Sequence, residues 1–187
     1  MRALLHLKAW QLFLLVVGVP LVLQMVVMGS LFSRHAGRWV LPGILLASLL
    51  SLGALLAWFV ALNVHLHRRL PAAAPMNLTR LRLAAAVPVA YLLLLVVGVA
   101  TASGGGPSGG AVALLVLLHL ASMACVFYCL YFTAKALKTV ERQAPVSFGE
   151  YVGEFFLLWF FPVGIWLLQP RVNRLFAPSS ERPPEFP

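Results

Sequence analysis

The chain has 187 residues, of which 61% are apolar and 10% are charged. Soluble domains carry roughly 45–50% apolar and about 25% charged residues, so this composition excludes an ordinary water-soluble globular protein. It also excludes an intrinsically disordered chain, because disorder requires low hydrophobicity and high charge. The formal net charge is +9. Since the basic residues flank apolar runs, we expect anionic lipid headgroups, and not nucleic acid, as their partners.

Four apolar segments are long enough to cross a bilayer. A helix needs about 20 apolar residues to span a hydrocarbon core about 30 Å thick. The segments lie at about residues 9–32, 39–66, 83–102 and 111–133. Pro20 is expected to kink the first, because an interior proline lacks the N–H of a helical hydrogen bond. The sequence therefore predicts an all-α integral membrane protein whose residues 1–176 form one polytopic domain.

The distribution of Lys and Arg predicts the orientation, since these residues are enriched in short cytoplasmic loops. With the N-terminus inside, nine cations are cytoplasmic and two, Arg34 and Arg38, are outside. The nine are Arg2, Lys8, Arg68, Arg69, Arg80, Arg82, Lys135, Lys138 and Arg142. We expect all but the first two of these to contact lipid headgroups. The rich Ala, Leu and Arg usage with little Lys suggests a bacterial source, and hence the inner membrane.

A fifth apolar segment begins at Ser147-Phe148-Gly149-Glu150, which matches the Ser-x-x-Glu capping box of a helix N-terminus. We expect a helix over residues 148–169 that ends at Pro170 and is broken or bent near Pro162 and Gly164. Its uninterrupted apolar stretch of 14 residues would be about 21 Å long, too short for a full span. Its dense aromatic residues are typical of the membrane–water interface.

The charge distribution bears on whether this fifth segment crosses the membrane. If the segment stays on the cytoplasmic side, Arg171, Arg174 and Arg182 raise the inside total to 12 against two, whereas a fifth span gives nine against five. The count favours a short aromatic-rich interfacial or re-entrant helix, with a short tilted fifth span as the alternative. Residues 177–187 contain four prolines and are expected to form a disordered tail.

Gln24, His119, Glu150 and Glu154 are the candidate functional polar residues. Ionisable groups inside a bilayer are costly and often functional, and His119 lies well inside a predicted span; the alternative is a neutral imidazole bonded to another helix. Glu150 and Glu154 share one helical face. They could bind a cation or a proton, pair with arginines such as Arg80, Arg82 or Arg142, or stabilise the helix N-terminus through its dipole.

Small residues at four-residue spacing predict close helix packing. Ala121, Cys125 and Cys129 form one such series, and Gly149 and Gly153 form another. We interpret the cysteines as packing residues, because a metal site near the midplane would need further ligands.

The sequence contains no recognisable catalytic or nucleotide-binding motif, and its polar stretches are too short to fold into a catalytic domain. We therefore predict no catalytic residue, no metal and no cofactor. The leading hypothesis is a non-enzymatic accessory subunit that packs with membrane partners or with itself. The alternatives are a small transporter or channel subunit with a polar path near Gln24, His119, Glu150 and Glu154, and a membrane-embedded lipid-modifying enzyme.

Overall fold

The computed structural model describes residues 7–30, 37–101 and 108–176, and these residues form helices without strands. The helices are α1 (Ala9–Phe13), α2 (Val19–Gly29), α3 (Gly37–His67), α4 (Leu78–Thr101), α5 (Gly109–Arg142), α6 (Phe148–Trp159) and α7 (Phe161–Phe176). A π-helical turn, Leu14–Gly18, joins α1 to α2. Ala9–Gly29, Val40–His67, α4 and α5 are each long and apolar enough to cross a bilayer. The all-α membrane fold with four spanning helices is thereby confirmed.

Two helices extend beyond their apolar spans because polar residues continue them. Helix α4 begins five residues before residue 83, since Asn77 Oδ1 accepts hydrogen bonds from the backbone N–H groups of Thr79 (2.9 Å) and Arg80 (3.2 Å). Helix α5 continues to Arg142 and ends at Gln143, whose backbone is left-handed with a φ of 51°. The predicted tail at 177–187 lies outside the described residues, as do Arg2, Arg34, Arg182 and the side chain of Arg38.

Just before Pro20, where a kink was expected, the helix contains the π-helical turn Leu14–Gly18, and Pro20 lies in the first turn of α2. Pro20 has no N–H to donate to the carbonyl of Val16, four residues earlier. The Ser51 hydroxyl of α3 donates to this Val16 oxygen at 2.6 Å. A polar side chain of a neighbouring helix thus satisfies the carbonyl that the proline leaves open, as lipid-embedded backbone requires.

The fifth apolar segment is two helices, so the interruption expected near Pro162 and Gly164 is a break and not a bend. The chain breaks at Phe160, whose φ and ψ are −87° and 51°. Pro162 lies in the first turn of α7, where its missing N–H is not needed. Pro170 does not end this helix, which continues to Phe176. Gly164 allows the close approach of the two helices, because an added Cβ would lie 1.8 Å from the Leu157 carbonyl oxygen.

The two helices form a hairpin, the α6–α7 hairpin, whose ends lie at the same end of the bundle. At its start, Glu150 forms an ion pair with Arg142, at the end of α5. At its finish, the Leu175 carbonyl accepts a hydrogen bond from Arg69, just beyond α3. Gln143 in turn donates to the Arg69 carbonyl at 3.4 Å. The hairpin therefore enters the bundle and returns, which is re-entrant geometry and not a fifth span.

The tip of the hairpin reaches well into the bundle. Trp159 packs against Phe127 of α5 with ring centroids 4.5 Å apart and ring planes tilted by 45°, and Phe161 contacts Trp58 of α3 at a centroid distance of 5.8 Å. Phe127 precedes the end of α5 by 15 residues, so the tip lies about 20 Å from that end.

One end of the bundle carries nearly all the described cations, and we call it the cationic end. The chain start lies there as well, since Gln169 of α7 donates to the Leu7 carbonyl at 2.9 Å. Its cations are Lys8, Arg68, Arg69, Arg80, Arg82, Lys135, Lys138, Arg142, Arg171 and Arg174. The buried core is continuous from the hairpin tip to this end.

Candidate functional site

A four-residue ion-pair network joins the hairpin to α5. The Glu154 side chain is only 7% exposed, and its Oε1 lies 3.1 Å from Lys138 Nζ and 2.9 Å from Arg171 Nη2. Arg171 also donates to Glu141 through two of its three guanidinium nitrogens, Nε to Oε1 at 3.1 Å and Nη2 to Oε2 at 2.6 Å. The network contains two cations and two anions, and it connects α5, α6 and α7 through charge-assisted hydrogen bonds.

Hydrogen bonding keeps Glu154 ionised despite its burial. Burial alone raises the pKa of this carboxyl. The hydrogen bonds from Arg171 and Lys138 lower the pKa by more than burial raises it, so the pKa lies below its ordinary value of 4.5. Burial also acts on Arg171, where the bonds to Glu141 and Glu154 outweigh it and raise the pKa. A buried carboxylate with two cationic donors is suited to holding helices together and poorly suited to accepting a proton at neutral pH.

Glu150 has separate surroundings at the start of α6. Its Oε2 accepts hydrogen bonds from the Ser147 N–H (2.6 Å) and hydroxyl (2.9 Å), which completes the capping box seen in the sequence. The bonds from Ser147, followed by the charge of Arg142, lower the pKa of this exposed carboxyl. Of the three arginines considered as partners of the two glutamates, Arg142 pairs with Glu150. Arg80 and Arg82 form no ion pair with a described carboxylate.

Glu150 and Glu154 therefore do not form a paired-carboxylate site. Each binds its own cations, and no group of three or more His, Cys, Asp or Glu residues that could hold a metal ion occurs within 7–30, 37–101 and 108–176. His65, near these helices, bonds through Nδ1 to the Ala61 carbonyl at 2.8 Å and packs its ring against Phe176. The contacts described for Glu150, Glu154 and His65 are therefore ones that hold helices together.

His119 faces a different place, a cavity of about 370 Å³ between α3, α4, α5 and the hairpin tip. Its ring lies 5.6 Å from the ring of Tyr91 on α4. Ser122, one turn later on α5, lines the same cavity and is 6% exposed. The remaining lining is apolar or aromatic.

Gln24, the fourth candidate, is half-buried on α2 and does not line that cavity. The four candidate polar residues thus occupy separate positions: one on α2, one at the cavity, one in the buried network and one at the start of α6.

The two series of small residues have different environments. Ala121 is exposed, Cys125 is half-buried and Cys129 is fully buried, so this series turns from the bundle surface into the core. Gly149 and Gly153 are exposed, and no described atom lies within 4 Å of a Cβ built at either. The packing partner expected for these glycines is not found within the described chain.

Several of the basic residues expected at headgroups contact protein groups. Lys138 and Arg142 bind glutamates, Arg69 also lies 4.8 Å from the Phe176 ring, and Lys135 Nζ lies 3.3 Å from the Tyr131 hydroxyl. Their contact with lipid headgroups stays a prediction.

Sequence reasoning missed the residues that complete these sites. Arg171 was counted only as a charge, because nothing local shows that a cation 17 residues after Glu154 returns to it. Tyr91 and Ser122 resemble ordinary residues of apolar helices until α4 and α5 are placed side by side. Asn63 was also missed, although an amide inside an apolar run is a usable signal; its Nδ2 donates to Thr133 Oγ1 at 2.8 Å.

Comparisons of the chain with family models, with curated proteins and with solved structures found no match.

Proposed function

We propose that this multi-pass membrane protein is a non-enzymatic accessory subunit that binds another membrane protein through the outer face of α6. The observation that carries this proposal is a set of residues we call the glycine face: Gly149, Gly153, Phe156 and Phe160. The spacing of the first three places them on one side of α6, and Phe160 directly follows the last residue of this helix. Phe156 and Phe160 are 52% and 62% exposed, and the space above both glycines is open.

A glycine face of this kind suits a second helix. Glycines four residues apart let two helix backbones approach closely, and such packing drives association where lipid removes the usual hydrophobic gain. The opposite side of α6 buries Tyr151, Glu154 and Leu158 against the bundle. The ion-pair network therefore holds the glycine face in a fixed position, which lowers the entropy cost of binding.

Charge favours a different protein over a second copy as the occupant. All three described glutamates, Glu141, Glu150 and Glu154, are already paired with cations of this chain. Arg68, Arg80, Arg82 and Arg174 form no ion pair with a described carboxylate. Two copies would bring like charges together, whereas a partner with acidic residues beside its membrane helix would be attracted.

The orientation belongs to the same proposal. Because Lys and Arg are enriched on the cytoplasmic side of short loops, we assign the cationic end, with the chain start and the end of α7, to the cytoplasm of a bacterial inner membrane. Reporter fusions at the N-terminus and after Phe176 should both indicate the cytoplasm. A periplasmic signal from the second fusion would contradict the assignment.

The two alternatives receive less support from the geometry. A transporter would need Gln24, His119, Glu150 and Glu154 along one polar path, but they occupy separate surroundings. A lipid-modifying enzyme would need a nucleophile or metal beside the glutamates, and Glu154 is instead surrounded by Lys138 and Arg171.

The test is site-specific photocrosslinking in cells. Phe156 is replaced by a photoreactive phenylalanine analogue, and the matched control carries the analogue at Val163, an apolar residue of α7 that is 68% exposed. We expect a discrete adduct with one membrane protein from position 156 and none from position 163. Gly153→Leu should abolish this adduct while leaving the amount of protein in the membrane unchanged.

The adducted protein is then identified by mass spectrometry and purified with this chain. Its retention should fall at high salt, because the proposed attraction at the cationic end is screened. Adducts with lipid alone, adducts with a second copy of this chain, or an adduct that survives Gly153→Leu would each overturn the proposal.

A further inference from the structure

The cavity beside His119 is a second feature, independent of the glycine face. Helices α3, α4 and α5 form its walls and the hairpin tip closes one end, with Leu158, Trp159 and Phe161 among the lining residues. Its volume of about 370 Å³ lies within the range of small-molecule sites, roughly 300–1,000 Å³. Met123 and Trp159, at its rim, are 45% and 46% exposed, so the cavity opens sideways toward lipid.

The polar lining consists of three side chains, Tyr91, His119 and Ser122, near the middle of the membrane. His119 lies ten residues after the start of α5, about 15 Å along the helix axis. Its ring contacts the ring of Tyr91, and Ser122 is only 6% exposed. No Asp, Glu, Lys or Arg lines the cavity. Hydroxyl and imidazole groups here can donate hydrogen bonds to a ligand, and no Lys or Arg is present to neutralise a phosphate.

The rest of the lining favours a flat ring. Five of the 13 lining residues are aromatic: Tyr91, His119, Phe127, Trp159 and Phe161. Phe127 and Trp159 already pack with centroids 4.5 Å apart and ring planes tilted by 45°, and aromatic rings attract a planar guest by the same forces. The acyl chain of a phospholipid would use neither the aromatic walls nor the hydrogen-bond donors.

We propose that this cavity binds a membrane-soluble quinone, with its ring between the aromatic side chains and its carbonyl oxygens accepting hydrogen bonds from Tyr91, His119 and Ser122. The apolar tail of the quinone leaves through the lateral opening into the bilayer. The inference goes beyond the accessory function and does not depend on it, because a partner on the glycine face and a ligand in this cavity occupy different surfaces.

Native mass spectrometry of the full chain in mild detergent tests the proposal, with a decyl-substituted benzoquinone as the probe. We expect a saturable one-to-one adduct that a large excess of phosphatidylethanolamine does not displace. The double variant Tyr91→Phe/His119→Leu keeps an apolar cavity but removes two hydrogen-bond partners. It should bind the probe about tenfold more weakly, which corresponds to about 1.4 kcal/mol.

Two further variants, one at the opening of the cavity and one outside it, test whether the probe occupies the cavity. Met123→Trp places a bulky ring at the opening and should abolish the adduct. Leu120→Trp makes the same addition at a residue of α5 that is 58% exposed and does not line the cavity, and it should leave binding unchanged. Thermal unfolding of each variant confirms that it remains folded.

Three results would each overturn the proposal. Equal binding by Met123→Trp and the wild type would place the quinone elsewhere. Normal binding by Tyr91→Phe/His119→Leu, or displacement by phosphatidylethanolamine, would show a cavity that accepts any apolar chain.

Discussion

The two halves of α5 differ in what surrounds them. The first half exposes its large apolar residues, with Leu114, Leu117 and Leu120 each 58–64% exposed. The second half, from Cys129 to Val140, buries most of its residues. The helix is apolar in the first half and partly polar in the second, so burial here does not follow hydrophobicity. Lipid solvates the first half, and the protein surrounds the second.

The α6–α7 hairpin is the cause of this difference. It packs beside the second half of α5 and brings Glu154 and Arg171 to meet Lys138 and Glu141. The first half has only the neighbouring spans and the bilayer around it. A short re-entrant segment thus gives one end of a small bundle a core of its own, and the variants below should weaken that end selectively.

Gly164→Ala should have the largest effect. Its Cβ would lie 1.8 Å from the Leu157 carbonyl oxygen, which is backbone and cannot turn aside. The hairpin must open, and we expect a loss of unfolding free energy of about 3 kcal/mol, at the upper end of overpacking costs. Thermal unfolding in detergent measures this loss.

Gly98→Ala on α4 is the matched control for that substitution. No described atom lies within 4 Å of a Cβ at this position, and alanine is the better helix former. Its unfolding temperature should equal or exceed that of the wild type. A Gly164→Ala protein as stable as Gly98→Ala would disprove the close contact within the hairpin.

Glu154→Gln should have the next largest effect. The amide cannot balance the charges of Lys138 and Arg171, and breaking a buried ion pair costs about 3–5 kcal/mol. We expect the lower end of this range, because Arg171 keeps Glu141 as a partner. Glu150→Gln is the control, because the Glu150 side chain is 29% exposed against 7% for Glu154, and it should change stability little. Equal losses in the two variants would show that burial of Glu154 does not matter.

These residues also show how far the sequence could be interpreted. The spans follow from apolar length, and the capping box marked the start of α6 correctly. The break at Phe160 could not be placed, because Pro162 and Gly164 are compatible with either a bend or a complete reversal. The partners of Glu154 are set by that reversal, which returns Arg171 to α5. Similarly, the His119 cavity depends on how α4 and α5 face each other, and periodicity carries no such information.

Acid should weaken the hairpin in the same way as Glu154→Gln, but gradually. Because the pKa of Glu154 is lowered in the folded protein, its contribution to stability is complete above its ordinary pKa of 4.5 and is lost as the pH falls through the folded value. We expect the unfolding temperature to drop below about pH 4.5 in the wild type. The drop should be smaller in Glu154→Gln. An identical acid profile for both proteins would assign the effect to other carboxyls.

Ser51→Ala should have the smallest effect, and it acts away from the hairpin. Its hydroxyl donates to the Val16 carbonyl that Pro20 leaves open, and side-chain hydrogen bonds between membrane helices contribute about 0.6 kcal/mol on average. In a Pro20→Ala background the restored N–H can reach Val16 O, so the serine should no longer matter. A double-mutant cycle of unfolding free energies measures this coupling. If Ser51→Ala costs the same with and without Pro20, the serine does not compensate for the proline.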